Sequence, residues 1–339
     1  MNKNKIVFLF LFFTFLLYSQ SELKEPSWIY LKKAENLLSK GEYSDAIVEA
    51  RKSHEKFIEE KLESYYNEIF YTHRDKTQYE LKKMVNLKRE ELNKDDNYPA
   101  FHEIMGELYI KTNFMDEAVK EFKKALLQNK YFEYPQKSIE LKYKLASVYN
   151  KKNEYELEDL IYREIAKEFF DKKKNDYWDR IKYYIENDAT LNHAYRIYRL
   201  SGIEYLEALY KVGRRSSILE KDKEALFYLT CASIVWFTYF SEIIKNYNSD
   251  FQFSTPVDFI NYLLKIRSRE QIESDLIIGE IFFYIGYTNY ILKRNNIKDY
   301  FYNFAISFSK NTKKEEEIKN RINYLKIDKN YILKFDEIK

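Results

Sequence analysis

Hydrophobic positions recur at helical spacing along most of this chain, and polar residues gather into short breaks between the runs. The clearest stretch is Gly106 to Leu126. There Ala118, Phe122 and Ala125 fall at i, i+4 and i+7, one stripe on one helical face. A preceding run carries Gly106 and Tyr109, and the polar break Lys111–Asn113 joins the two. This spacing predicts a hairpin of two antiparallel helices. A glycine inside a helix costs about 1 kcal/mol relative to alanine, so a close helix contact should offset it. The expectation is that Gly106 faces Ala118 and Ala125, with Tyr109 and Phe122 filling the space beside them.

The same spacing returns elsewhere. After Pro26 come Ala34, Leu37, Gly41, Tyr43 and Ala46, with Ala50 and Ser53 in the later slots. The interval 61–96 is charged and helical, with Tyr65, Ile69, Leu81, Val85 and Leu92 as its apolar points. It has room for one degenerate hairpin or one long helix. The break at Asn97–Tyr98 and Pro99 restart the register, since proline suits a first helical turn. Pro135 opens another helix, where Ala146 and Tyr149 repeat the Gly106/Tyr109 spacing. The polar turn Lys151–Glu154 and Tyr155 follow, with Glu158 where a small residue is expected. Helical runs fill 176–212, including Ala194–Val212. Ala225, Leu229 and Ala232 read as a second helix whose partner would hold Ala208, with an insertion at Arg214–Asp222. Thr255-Pro256-Val257-Asp258 reads as a capped helix start. Gly286 and Ala305 repeat the spacing of Gly106 and Ala125, with Lys298 at the middle slot. The most apolar run, Ala225–Phe240, lies between Glu224 and Glu242 and carries Thr230, Ser233 and Thr238. It is expected as a buried helix rather than a membrane span.

Gly106-x2-Tyr109 followed by Ala118-x3-Phe122 resembles the tetratricopeptide repeat (TPR) family, whose consensus is W-x2-L-G-x2-Y, then A-x3-F, then P, over about 34 residues. His102 stands in place of the Trp, Met105 in place of the Leu, and Pro135 comes late. The resemblance is fullest over 99–132, fair over 27–60, and weaker over 139–170 and 195–310. It implies an all-α fold, an α-α superhelix: a TPR-like solenoid of antiparallel helix hairpins. A repeat domain at 27–170 would be continued by degenerate helical repeats at 171–339. In that family the first helix of each hairpin lines a concave groove that holds a peptide or a partner helix. Counted from the matched positions, the groove residues would be Leu31, Glu35 and Leu38; Glu103, Glu107 and Ile110; Tyr143, Ser147 and Asn150; and Phe283, Tyr287 and Tyr290. Family members that grip a C-terminal carboxylate use Lys and Asn at these sites. Here acids, aliphatics and aromatics dominate, which implies a hydrophobic or basic segment as the ligand.

Lys3 and Lys5 precede an unbroken apolar run, Ile6–Leu17, and Ser19-Gln20-Ser21 supplies small residues. Residues 1–21 therefore read as a secretory signal peptide, with an uncleaved N-terminal anchor as the alternative. Export, most simply to the periplasm, follows, and membrane contact would be through that segment if at all. A single cysteine, Cys231, suits an exported chain without an internal disulfide. Lys plus Arg total 57 against 54 Asp plus Glu, a balance that argues against nucleic acid as a partner. The basic spots Lys172–Lys174 and Arg214–Arg215 are short and read as solvated charges. Six glycines and four prolines are few for a sheet built on tight turns.

No catalytic motif stands out. His54, His73, His102 and His193 are far apart in sequence, and no metal-ligand or phosphate-loop spacing occurs. Neither a metal nor a cofactor is expected, and the chain does not read as an enzyme. It reads as an exported scaffold or adaptor that binds a protein or peptide partner. Envelope or periplasmic flagellar assembly is suggested by analogy with the family. The alternatives are a cell-wall-acting hydrolase on an all-helical frame, and a membrane-attached helical protein.

Overall fold

The structure, a computed structural model, describes residues 25–188, 190–253, 256–266, 277–310 and 312–325. The expected signal segment lies outside the described residues. Among them the fold is all-α, with fifteen α-helices and no strand. The chain divides into two compact units, one ending at Lys152 and one beginning at Asn153.

The first unit begins with α1 (Ser27–Lys40) packed on α2 (Tyr43–Thr72). Glu60 of α2 caps the start of α1, accepting from Ser27 N at 2.7 Å and Ser27 Oγ at 2.8 Å. α4 (Pro99–Lys111) and α5 (Met115–Leu127) form the next pair, and α6 (Gln136–Lys151) packs on α5. Ala34, Ala46 and Ala50 leave room for Ile104, Met105 and Leu108 of α4, so small residues set the spacing between successive hairpins. The ambiguous interval resolves into the second half of α2 folded against α3 (Gln78–Lys94). Bulky residues hold this pair: Ile58, Leu62 and Leu92, with Phe57 and Val85. α3 starts on a capping box, Thr77 with Glu80.

The nearest neighbour of Gly106 is Phe122 rather than Ala118 or Ala125. The Phe122 ring lies over it, and a Cβ built there would sit 2.6 Å from the ring. Ala118 and Ala125 are fully buried to either side. The absent side chain of Gly106 thus lets the Phe122 ring pack close against the backbone of the opposite helix.

One turn geometry recurs through the chain. Gly41, Asn113, Asn153, Glu220 and Lys293 all take left-handed φ, between 55° and 83°. Each lies seven residues after a small one: Ala34, Gly106, Ala146, Gly213 and Gly286. The following residue then closes the helix end. Glu42 N donates to Leu37 O (3.0 Å), Phe114 N to Tyr109 O (2.8 Å), Lys221 N to Ser216 O (2.8 Å) and Arg294 N to Asn289 O (2.9 Å). This is the helix-ending motif that satisfies orphan carbonyls through a left-handed residue.

The second unit contains α7 (Tyr155–Asp171), α8 (Asn175–Asn187) and the short α9 (Asn192–Ile197). They are followed by α10 (Leu206–Ile218), α11 (Asp222–Lys245) and α12 (Pro256–Ile266). α13 (Ile277–Ile291), α14 (Asn295–Ser309) and α15 (Lys313–Leu325) complete it. α10 pairs with α11, and α13 with α14. Ala208 lies in α10 as expected, and Gly213 also packs against the second helix, with Leu229 where its Cβ would be. Residues 214–218 continue α10, so there is no insertion, only the left-handed turn at Glu220. Nor is Ala194–Val212 one helix, because Gly202 at φ 113° breaks it.

α11 lies among α8, α10, α12 and α13. It is a described helix long and apolar enough to cross a membrane, yet most of its length is buried by the rest of the protein. Trp236 and Phe237 centre an aromatic core with Phe240, Phe259, Phe282 and Phe308, at ring separations of 4.4 to 6.1 Å. Cys231 is fully buried, and burial pushes its thiol well above the ordinary range.

Candidate functional site

The expected groove residues divide sharply by position. On α1, Leu31 and Leu38 are half-buried beside the alanine cluster, and Glu35 is exposed. On α4, Ile110 and Glu107 are half-buried, while Glu103 is 9% exposed. On α6, Tyr143 and Asn150 are half-buried and Ser147 is exposed. Two lysines of α6 reach the α4 acids. Lys144 Nζ donates to Glu103 at 2.5 Å and also to Glu107, and Lys137 Nζ lies 2.8 Å from Glu103. Burial works against the charge on Lys144, but the two carboxylates outweigh it and hold the ammonium above the usual lysine range. Lys137 is raised in the same way, against burial, by Glu103 and then Glu140. The acidic character expected of this face is therefore largely neutralised from within.

In the second unit, Phe283 and Tyr287 do not line any open face. They are 0% and 2% exposed. α13 is apolar on nearly every side, and α10, α11 and α14 pack around it. α15 closes the remaining side: Arg321 sits 5.7 Å from the Phe283 ring, and Lys314 donates to Glu280 at 2.5 Å. Tyr290 is half-buried, with its hydroxyl donating to Leu325 O at 3.4 Å. The chain's own last described helix occupies the place a ligand would take.

A polar knot that the sequence did not disclose lies within the first unit. Asp96, just before α4, is nearly buried. His54 Nε2 of α2 is 2.6 Å from its Oδ2, and His102 Nε2 of α4 is 3.2 Å from its Oδ1. His102 Nδ1 is 2.5 Å from Glu121 of α5. Tyr98 N and Gln128 Nε2 also donate to Asp96 Oδ1, at 3.0 and 2.9 Å. Burial raises the Asp96 carboxyl, but the two histidines and Gln128 prevail and hold it far below the ordinary range. Burial lowers the His102 imidazole, but Asp96 and Glu121 prevail and hold it above its ordinary value. Glu121 is lowered against burial by His102. With Asp96 and Glu121 each within hydrogen-bond distance of one of its ring nitrogens, His102 ties α5 to the segment before α4, and Asp96 ties that segment to α2. His54 also stacks on Phe101, with ring centroids 4.4 Å apart. This arrangement holds three elements in register.

The hint available in the sequence was His102 in a slot that the repeat pattern gives to a large aromatic. Its partners lie 6 and 19 residues away and His54 farther still, beyond what helical periodicity can relate. Among the described residues no group of His, Cys, Asp and Glu is arranged to hold a metal ion. No family model matches the chain, and the search of curated proteins finds no relative.

Proposed function

We propose that the protein is an exported scaffold or adaptor of the TPR-like type, which grips a segment of another polypeptide on the first-helix face of its first unit. The observation that carries this reading is the repeated hairpin, with a left-handed turn residue seven positions after a small one at Gly41, Asn113, Glu220 and Lys293. Stacked hairpins of this kind leave first helices free to receive a ligand. The receiving residues are Leu31, Glu35, Leu38, Ile110, Tyr143, Ser147 and Asn150. Because Lys137 and Lys144 already clasp Glu103 and Glu107, an apolar segment suits this face better than a basic one. Envelope or periplasmic flagellar assembly is the setting that the family analogy favours.

The test is photo-crosslinking in cells from probes placed at Glu35 and Ser147, with a control probe at Tyr79, an exposed residue on α3. One polypeptide should be captured from both face positions and not from the control. Capture of nothing, or equal capture from all three, would overturn the reading. Export is checked by sequencing the N-terminus of the mature chain, which should begin near residue 22 in an envelope fraction.

A further inference from the structure

The second unit carries a half-open hollow of about 500 Å³, within the range of small-ligand sites. Its lining includes His193, Arg196, Arg199 and Lys245, with no Asp or Glu. Cations and acids nearly balance over the whole chain, so this lining is a local excess of positive charge. Among the described residues Arg196, Arg199 and Lys245 make no ion pair. The cluster is also held in place. Arg199 Nη1 donates to Tyr195 O at 2.9 Å and Tyr198 O at 2.7 Å, which caps α9 and fixes the guanidinium. Leu200 N donates to Thr238 Oγ1 at 3.0 Å, which pins this segment to α11, the helix that carries Lys245 and Ser241. Asp188 fixes His193 from behind, at 3.0 Å. The apolar part of the lining is aromatic: Phe251 and Phe253 stack 6.3 Å apart, and Phe253 stacks on Phe237 at 5.5 Å.

Two guanidinium groups and an ammonium bring three positive charges to one place. A carboxylate would neutralise one of them. A phosphate monoester brings close to two negative charges and three acceptor oxygens, which matches planar guanidinium donors. We propose that this hollow binds an organic phosphate, with the phosphate among Arg196, Arg199 and Lys245 and the organic part against Phe251 and Phe253.

The experiment is calorimetric titration of the full chain with phenyl phosphate, and flotation with phosphatidylcholine vesicles containing phosphatidic acid. Arg196→Gln and Lys245→Gln are the test variants, since among the described residues neither side chain makes an ion pair or a hydrogen bond. Lys223→Gln, 93% exposed at its side chain, is the control. Saturable one-site binding should weaken about tenfold in each test variant, fall with added salt, and stay unchanged in the control. Thermal unfolding should be the same in all four proteins. Binding to phenyl phosphate supports a free ester as ligand, and binding to vesicles alone supports a lipid headgroup. The proposal is overturned if neither probe binds wild type below about 10 mM, or if Arg196→Gln and Lys245→Gln bind as tightly as wild type.

Discussion

At Gly106 a single hydrogen atom decides how closely α4 and α5 approach. Gly106→Ala would improve helix propensity by about 1 kcal/mol but drive a methyl group into the Phe122 ring, 2.6 Å away. Overpacking costs about 1–3 kcal/mol, so a net loss of about 1 kcal/mol is expected in urea denaturation, partly restored by adding Phe122→Leu. His102 makes a second residue-scale prediction. Its folded-state value is raised, so its contribution is complete below about pH 6.5 and fades as pH rises through that higher value. Asp96 is lowered, so its contribution is present above about pH 4 and fades on acidification toward the folded value. Thermal stability should therefore hold level between about pH 4 and 6.5 and decline above it. His102→Gln should flatten the alkaline decline and lower the plateau by about 3 kcal/mol, because Asp96 and Glu121 lose their buried partner. A wild-type melting temperature that does not fall between about pH 6.5 and 9 would refute this account. The apolar stripe through Ala118, Phe122 and Ala125 could be read from spacing alone. The His54–Asp96–His102 connection could not, because three separate elements must pack before those groups meet.

At the level of elements, legibility followed the turn residues. Gly41 and Asn113 are residue types that take left-handed φ easily, and each announces its hairpin. Glu220 and Lys293 occupy the same conformation without any such mark. The sequence spacing therefore reads an insertion at Arg214–Asp222, where α10 in fact continues to Ile218. Long charged segments were ambiguous for another reason: the second half of α2 meets α3 through bulky residues, so no small-residue signature survives. The start of α3 rests on its cap. Thr77→Ala should cost about 1 kcal/mol, and amide hydrogen exchange should quicken in the first turn of α3 while α4 and α5 keep their protection.

For the whole molecule, helical class was evident from periodicity, but which faces remain open was not. Phe283 and Tyr287 occupy slots like those of Glu103 and Glu107, yet α15 covers the side of α13 that would have faced a ligand. Periodicity reports which face of a helix is apolar; it does not report how many neighbours claim that face. The aromatic interior of the second unit yields a global reporter. Cys231 lies inside it with its thiol pushed up by burial, so reaction with a thiol reagent should be slow in native buffer. It should rise with urea in step with loss of tryptophan fluorescence from Trp236. Rapid labelling before that transition would mean that α11 opens locally.

The left-handed conformation at Glu220 and Lys293 has a practical consequence. Each residue holds backbone geometry that glycine adopts without steric penalty, and both are exposed turns outside the core and outside the face proposed to receive a partner. Glu220→Gly and Lys293→Gly should each leave ligand capture unchanged and raise stability by up to about 1 kcal/mol. A hardened version of the protein is therefore within reach through two substitutions at its loop tips.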